Sequence, residues 1–307
     1  MFTRKTTLII PTRNRFNQII RNLRYFQRNL IYFKEIIIVD SSDKIQKKKL
    51  TNTVKKYKNL KLIFSKPSSS RQRNLGLKNT NKKSKFVMFL DDDIYFFKNA
   101  FSSMDKSIRN ETNHTVGFSF NIISKNKNQL SDKFKKKNIF KFLNIYSDRP
   151  GIVTKSGWHT KIINLKKDIY ADWLSTQAVV YYKKDLKNIW FEEKFGQYSY
   201  LEDLDFSYRL KKKDKNLKVV YKAKYKSPLI SKRHGFTFGK IEIYNRYLFV
   251  KKNSLDYSYF LIGSLFRSLQ SLGTGLIFFN LKSINRFFGN IYGILISIKK
   301  IKSIQLI

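Results

Sequence analysis

Short apolar runs alternate with amphipathic stretches through the first third of the chain. The runs typical of buried strands are Leu8–Ile10, Glu35–Val39, Leu60–Phe64 and Phe86–Leu90. Between and after them, helical spacing predicts helices over Asn14–Asn29, Ile45–Tyr57 and Arg71–Asn79. This alternation of strands and helices favours a parallel sheet flanked by helices.

The rest of the chain is less regular. Further strands are predicted at Val116–Ile123, Gln177–Tyr182 and Lys218–Tyr221, with a polar loop over Lys125–Asn138. A short helix is expected to begin at Glu202–Asp205, because the dipole of a helix favours acids at its start.

Polar side chains follow the predicted strands at their carboxyl ends, which is where parallel sheets bind ligands. Asp40 ends the second strand, and Asp91–Asp93 follow the fourth. Adjacent carboxylates repel unless a cation or hydrogen-bond donors compensate them. The run is therefore either a solvated acidic turn or a Mg²⁺ or Mn²⁺ site built on oxygen ligands.

The amino-acid composition limits the kinds of functional site that the chain can contain. The 307 residues contain 63 Lys and Arg but only 21 Asp and Glu, for a formal charge of +42. The absence of cysteine excludes disulfides, thiol nucleophiles and cysteine metal sites, and three histidines leave little scope for a multi-histidine centre. The lysines are scattered, so the charge reflects either composition or attraction to an anionic membrane or nucleic acid; no nucleic-acid motif is present.

Five motifs, in order, resemble those of the family 2 glycosyltransferases, which have the GT-A fold. They are Leu8–Arg15, Ile37–Asp40, Arg73–Gly76, Phe89–Asp93 and Glu202–Phe206 with Arg209 and His234. The resemblance covers residues 5 to about 250. It implies an α/β fold of the GT-A type, a Rossmann-like mixed sheet flanked by helices, with a C-terminal helical extension. Residues 1–115 would bind the nucleotide sugar, and 116–250 would form the acceptor-side, catalytic half of one domain, 1–250.

The resemblance also implies a donor site. Asp91–Asp93 match the family's DXD element, so Asp93 would hold Mn²⁺ or Mg²⁺ together with Asp91 and His234. His234 is alternatively a plain surface residue. The residues expected around the donor are Pro11, Thr12, Arg13, Arg15, Asp40 at the base, Arg73, Asn74, Asp91 near the ribose, and Asp92. For Arg73, a salt bridge that stabilises the start of its helix is the alternative.

On the acceptor side, Asp203 is the candidate general base, with Glu202 and Asp205 beside it in the motif. Arg209 would either orient this acidic cluster or pair with Asp205. Trp173 resembles the acceptor-side wall of related enzymes, although it is equally a core aromatic. The resemblance implies transfer of the sugar with inversion.

The segment 251–307 is expected to form amphipathic, membrane-associating helices, with packing onto the catalytic domain or one membrane span as alternatives. Arg267, Lys282 and Arg286 interrupt its apolar stretches. No signal peptide is apparent, so the sequence predicts a cytoplasmic enzyme, peripheral on the inner face of the cell membrane.

The expected partners are a nucleotide-diphosphate sugar, a glycan or lipid-linked acceptor and an anionic membrane surface, without nucleic acid. The expected pathway is polysaccharide, lipopolysaccharide or glycolipid precursor synthesis. The Gln-x-x-Arg-Trp element of processive synthases is missing, which favours single addition. The alternatives are a non-catalytic basic binding protein and a nucleotidyltransferase on a similar fold.

Overall fold

The computed structural model describes residues 1–124, 138–228 and 235–305. The chain divides into two compact units. The first contains residues 1–124 and 162–228, and the second contains residues 125–161 and 229–307. The domain boundary expected near residue 250 lies inside the second unit and stays a prediction.

The first unit is built on a nine-stranded mixed sheet. Its strands are β1 Thr6–Thr12, β2 Glu35–Asp40, β3 Leu60–Phe64, β4 Phe86–Leu90, β5 Tyr95–Phe96, β6 Thr115–Ile122, β7 Ile169–Tyr170, β8 Ala178–Tyr182 and β9 Asn216–Lys226. They lie in the order β3-β2-β1-β4-β8-β6-β9-β5, with β7 beside β9. The predicted strands are all present, shifted by a few residues at most.

The first four strands pair in parallel, as the strand and helix alternation predicts. Strand β8 then pairs antiparallel with β4, so the sheet becomes mixed at that point. In β1, β2 and β4 nearly all side chains are buried. This pattern is typical of central strands that are covered by helices on both faces.

The helices of the first unit are α1 Phe16–Arg28, α2 Lys44–Val54, α3 Ser69–Lys78, α4 Ala100–Arg109 and α6 Glu202–Lys211. Helix α5, Asn138–Phe142, precedes α6 in the chain and belongs to the second unit. The sequence analysis did not identify α4. Helix α3 approaches β1 so closely that a Cβ at Gly76 would lie 2.5 Å from Cγ2 of Ile9. Glycine at this position brings the helix that carries Arg73 against the central strand.

The second unit contains α5 Asn138–Phe142, α7 Gly235–Lys252, α8 Tyr257–Ile277 and α9 Leu281–Gln305. Helix α7 was missed because it buries polar and apolar side chains alike, including Glu242, Asn245 and Arg246. Its sequence therefore lacks a single apolar stripe. None of the helices in the described ranges has the length and apolar character needed to cross a membrane. The polar loop expected over Lys125–Asn138 lies outside the described residues except for its last position, which begins α5.

Candidate active site

The carboxyl ends of β1 and β2 are held side by side. Thr12 and Asp40 are partners in the parallel register, and the amide of Ser41 donates to the carbonyl of Thr12 at 3.0 Å. The side-chain amide of Gln72, on α3, donates to the carbonyls of Thr12 and Val39 at 2.9 and 2.7 Å. One helix therefore fixes the ends of two strands, and this edge carries the first group of predicted site residues.

Asp40 is fully buried at this edge. Its Oδ1 accepts hydrogen bonds from the amide and the hydroxyl of Ser42, the amide at 3.0 Å. Its Oδ2 is buried and has no partner among the described residues. Burial raises the pKa of Asp40, and the hydrogen bonds from Ser42 oppose that shift. An unpaired buried carboxylate oxygen costs free energy, so Asp40 suits a ligand that brings an N–H or O–H donor.

The acidic run after β4 is held by donors from the other strand ends. Asp92 accepts from the hydroxyl of Thr12 at 2.7 Å and from the guanidinium of Arg15 at 2.6 Å. Arg15 also pairs with Asp93 at 2.8 Å. Asp92 is buried, whereas the side chain of Asp93 is 22% exposed. Asp92 therefore anchors the turn, and Asp93 faces outward at the same edge.

Arg73 lies at the centre of the site. It is 3% exposed and pairs with Asp91 at 2.7 Å through one nitrogen and with Glu202 through another. Burial opposes its charge, but the carboxylates of Glu202, Asp91 and Asp203 outweigh burial and raise the pKa of Arg73. Its Nε is buried without a partner in the described part of the chain. These ion pairs join Arg73 to residues outside α3, and both expectations for Arg73, a donor contact and a salt bridge that stabilises the start of its helix, stay predictions.

One arginine does not fully compensate the acids around it. Burial raises the pKa of Asp91 to about 6, against the attraction of Arg73. Burial likewise raises the pKa of Glu202 to about 7, although Arg73 and the hydroxyl of Ser70, at 2.8 Å, favour its ionised form. Perturbed carboxylates of this kind gather at functional sites. The carboxylates at this edge repel one another, so a cation bound among them would be attracted rather than repelled.

Helix α6 begins in a constrained turn. Ser199 and Leu201 have φ values of 49° and 74°, in the left-handed region that disfavours such side chains. Glu202 comes next and meets Arg73, and Asp203 lies half-buried one position later. Asp205 is fully buried and pairs with Arg209 at 2.9 Å. The pairing expected as one role of Arg209 is thus present.

The oxygen ligands present fit a divalent cation. Asp91 and Asp93 are partly exposed carboxylates on one turn, and Mg²⁺ or Mn²⁺ commonly takes one or two carboxylates together with substrate phosphates. No cluster of three or more acidic or histidine side chains able to hold a metal occurs within the described ranges. The third predicted ligand, His234, lies outside the described residues.

Other predicted site residues differ in their exposure. The side chain of Arg13 is exposed and Pro11 is half-buried, both at the end of β1. Asn74 exchanges hydrogen bonds with the backbone of Phe191, at 2.8 and 2.9 Å, which fastens the loop before α6. Trp173 is 8% exposed, as a core aromatic would be.

Sequence reasoning did not assign Ser42, Ser70 and Gln72 to the site. The signals for Ser70 and Gln72 were their places in the first turn of α3, three positions and one position before Arg73 respectively. Ser42 follows Asp40 by two residues, the spacing at which a hydroxyl or amide returns to an aspartate.

Solved structures share this fold at low sequence identity. GalNAc-T7 with UDP, GalNAc and Mn²⁺ matches with a TM-score of 0.56 and 12% identity, over 72% of this chain and 43% of that chain. A mannosyltransferase from Pyrobaculum calidifontis, in complex with GDP-Man and Mn²⁺, matches with a TM-score of 0.55 and 10% identity, over 94% and 87%. S. aureus TarS with UDP-GlcNAc matches with a TM-score of 0.50 and 15% identity, over 84% and 69%.

These structures show that the chain has the GT-A fold. It spans less than half of the GalNAc-T7 chain. Curated proteins gave no significant match to the sequence. The family model for glycosyl transferase family 2 matches residues 7–163, just over half of the 307 residues, and includes the strand ends that carry Asp40 and Asp91–Asp93. The chain is therefore a glycosyltransferase and belongs to family 2.

Proposed function

We propose that this enzyme transfers one sugar from a nucleoside diphosphate sugar to an acceptor hydroxyl, with inversion and with the help of a divalent cation. The observation that carries the proposal is the position of Arg73, which joins Asp91 of the donor side to Glu202 beside the candidate base. Through these two ion pairs, Arg73 connects a residue of the predicted donor side with a residue of the predicted acceptor side.

The donor would lie across the ends of β1, β2 and β4. The unpaired Oδ2 of Asp40 would accept a hydrogen bond from the nucleobase. Arg15 is paired with Asp92 and Asp93 at this edge. Its guanidinium would form charge-assisted hydrogen bonds with the diphosphate. Pro11 and Thr12 end β1 and Arg13 follows directly, so these three residues lie beside Arg15, and Asp91 would meet the ribose.

Asp93 and Asp91 would hold Mn²⁺ or Mg²⁺. When bound, such a cation neutralises the negative charge that develops on the leaving diphosphate. The neighbours contain Mn²⁺ beside UDP or GDP-Man, which supports a divalent ion here without choosing between the two metals. His234 remains a proposed third ligand.

Asp203 is the proposed general base. In-line displacement needs a base on the acceptor side to take the proton of the attacking hydroxyl. Asp203 is half-buried and follows Glu202, which Arg73 and Ser70 hold in place. Asp205 is buried against Arg209, so we assign it a positioning role rather than proton transfer. Arg209 also donates to the carbonyl of Trp190 at 2.5 Å, which ties α6 to the preceding loop.

The acceptor is proposed to be a glycan or a lipid-linked precursor of a surface polysaccharide, lipopolysaccharide or glycolipid. Single addition follows from the missing Gln-x-x-Arg-Trp element. Trp173 stays a proposed acceptor contact, although its low exposure leaves little of the ring to offer. The C-terminal region, rich in apolar and basic residues, is proposed to hold the enzyme on an anionic membrane surface.

The test is a calorimetric screen of nucleotide sugars, beginning with UDP-GlcNAc, UDP-GalNAc and GDP-Man, in Mn²⁺, in Mg²⁺ and in EDTA. Binding is expected only with a divalent ion. Asp93→Ala should weaken it by about 10- to 100-fold, since even outer-shell partners of metals contribute that much. Asp214→Ala, which removes an exposed acid beyond α6, is the control and should bind like the wild type. Equal donor affinity in EDTA and in Mn²⁺ would contradict the proposed metal site.

A further inference from the structure

Helices α8 and α9 have an inverted distribution of side chains. On α8 the buried positions are mostly small, namely Phe260, Gly263, Ser264, Ser268, Ser271 and Gly275. The exposed positions include Leu265, Leu269 and Leu276, which are 50%, 59% and 60% exposed and recur at helical spacing. Helix α9 repeats the pattern, with Gly289, Gly293 and Ser297 buried and Phe288 and Leu295 more than half exposed. Water-soluble helices place their large apolar residues the other way.

The two arginines of these helices are directed inward. Arg267 of α8 and Arg286 of α9 both pair with Glu242 of α7, at 3.0 and 2.7 Å, and Glu242 is 3% exposed. Arg267 also donates to Gln270 at 2.7 Å. The sequence analysis took these arginines as interruptions of the apolar stretches. In the structure both arginines pair with Glu242, so neither of them interrupts the exposed apolar positions of the two helices.

The tip between the two helices is the most exposed apolar segment of the pair. Six consecutive residues, 276–281, are all exposed, and five of them are apolar. Phe278 and Phe279 are 59% and 93% exposed. Lys282 follows directly and is also exposed. Close packing fixes the hairpin itself, because a Cβ at Gly275 would lie 2.5 Å from Cγ1 of Ile284.

We propose that this hairpin inserts tip-first into one leaflet of a lipid membrane, with Phe278 and Phe279 among the upper acyl chains. This rests on the membrane association proposed above and names the segment and its mode of binding. Small buried residues and large apolar outer residues are typical of helices packed within lipid. Because six successive residues of the tip are exposed, fluid acyl chains could surround them more completely than one flat protein surface could. Lys282 can extend its ammonium to the phosphates, and anionic headgroups complement the basic chain.

The test uses the full-length protein and vesicles of phosphatidylcholine and phosphatidylglycerol, some with brominated acyl chains that quench tryptophan on contact. Phe279→Trp places a probe at the tip. Leu265→Trp places one about 20 Å further up α8, from 1.5 Å per residue. Phe64→Trp, at a 47% exposed position of β3 in the other unit, is the control. With the wild-type signal subtracted, quenching is expected to be strongest at 279, weaker at 265 and absent at 64.

A second variant, with Phe278→Ser and Phe279→Ser together, should lower vesicle partitioning at least about tenfold, since two exposed aromatic rings leave the lipid. Its metal-dependent donor binding should equal that of the wild type. Because all five substitutions are at exposed positions, folding is not expected to fail, and circular dichroism checks this.

Each outcome decides the proposal. Binding without quenching at 279, or with equal quenching at 279 and 265, overturns tip-first insertion while leaving surface association intact. No vesicle binding by the wild type overturns both. A concentration-dependent dimer that the double serine variant abolishes, without vesicle binding, assigns the tip to a second copy of the chain. Donor binding is measured separately, so the transferase proposal stands or falls on its own experiment.

Discussion

Two ion clusters in this molecule each combine arginine with acidic side chains, but in opposite proportions. In the first unit one arginine, Arg73, lies between two acids, Asp91 and Glu202. In the second unit one acid, Glu242, lies between two arginines, Arg267 and Arg286. The first cluster leaves its acids with raised pKa values, whereas the arginines lower the pKa of Glu242 despite its burial.

This difference in charge compensation distinguishes a candidate ligand site from an ion cluster that only stabilises the fold. The triad around Glu242 compensates its buried acid fully and joins three helices. The cluster around Arg73 is short of positive charge, and a bound cation or a proton would relieve it. In a chain with a formal charge of +42, such a local deficit of cations marks the region where a ligand is expected to bring its own.

The largest effect is expected from Asp203→Asn, because only the cation-poor cluster should carry chemistry. Turnover should fall by about 10² to 10⁴, the usual contribution of a general base, while donor affinity stays unchanged. Sugar transfer and calorimetric donor binding are the measurements. Asp214→Asn is the matched control, since it makes the same substitution at an exposed turn whose φ of 57° suits asparagine. Unchanged turnover would move the base role to Glu202.

Glu242→Gln should have the next largest effect, on stability alone. It leaves the partly buried Arg267 and Arg286 without their counter-charge, which should lower the free energy of unfolding by about 3 kcal/mol. The control is Asp148→Asn, which removes an exposed pair with Lys141 in the same unit and should cost less than about 1 kcal/mol. Urea unfolding measures both. Similar losses in the two variants would mean that the triad does not stabilise the helices.

The smallest effect is the dependence of stability on pH. Glu202 binds its proton more tightly when folded, since its pKa is raised from 4.5 to about 7. The unfolded chain therefore loses that proton first, and the free energy of unfolding should fall by about 2 kcal/mol as pH rises from 4.5 to 7. Glu202→Gln should remove the contribution of Glu202, while Asp91, whose pKa is raised to about 6, should still give a smaller fall. Glu242 has a lowered pKa, so its contribution is present above its ordinary pKa and is lost only as pH falls below it.

Comparing Glu202→Gln and Glu242→Gln with the wild type in urea, across that range, separates the two clusters. The difference for Glu202 should change between pH 4.5 and 7, and the difference for Glu242 should stay constant. Parallel profiles would show that the two clusters do not differ in charge compensation.

The sequence predicted the strands that lead to the candidate site well because their signals are local. A buried apolar run such as Phe86–Leu90 identifies a strand, and Asp91–Asp93 follow directly. The GT-A fold and family 2 membership, both implied by the motifs, are confirmed. The contact of Arg73 with Glu202 joins residues 129 positions apart, and no spacing along the chain indicates it.

The helical region was harder to predict for a different reason. Arg267 and Arg286 interrupt an apolar pattern when it is read along one helix. Their direction depends on Glu242, which lies on α7, a helix that the sequence analysis did not identify. An amphipathic pattern separates two faces of a helix, but it does not tell which face the neighbouring helices cover.

The side-chain amide of Gln72 has a consequence for how a donor would be received. By donating to the carbonyls of Thr12 and Val39 it ties two strand ends to α3, the helix that also carries Arg73. The ends of β1 and β2 and the start of α3 are thus ordered before any ligand binds. Each side chain that a ligand must immobilise costs about 0.5 to 1.5 kcal/mol of conformational entropy. At this edge most of that ordering is complete on folding, so more of the contact energy of the donor is available as affinity.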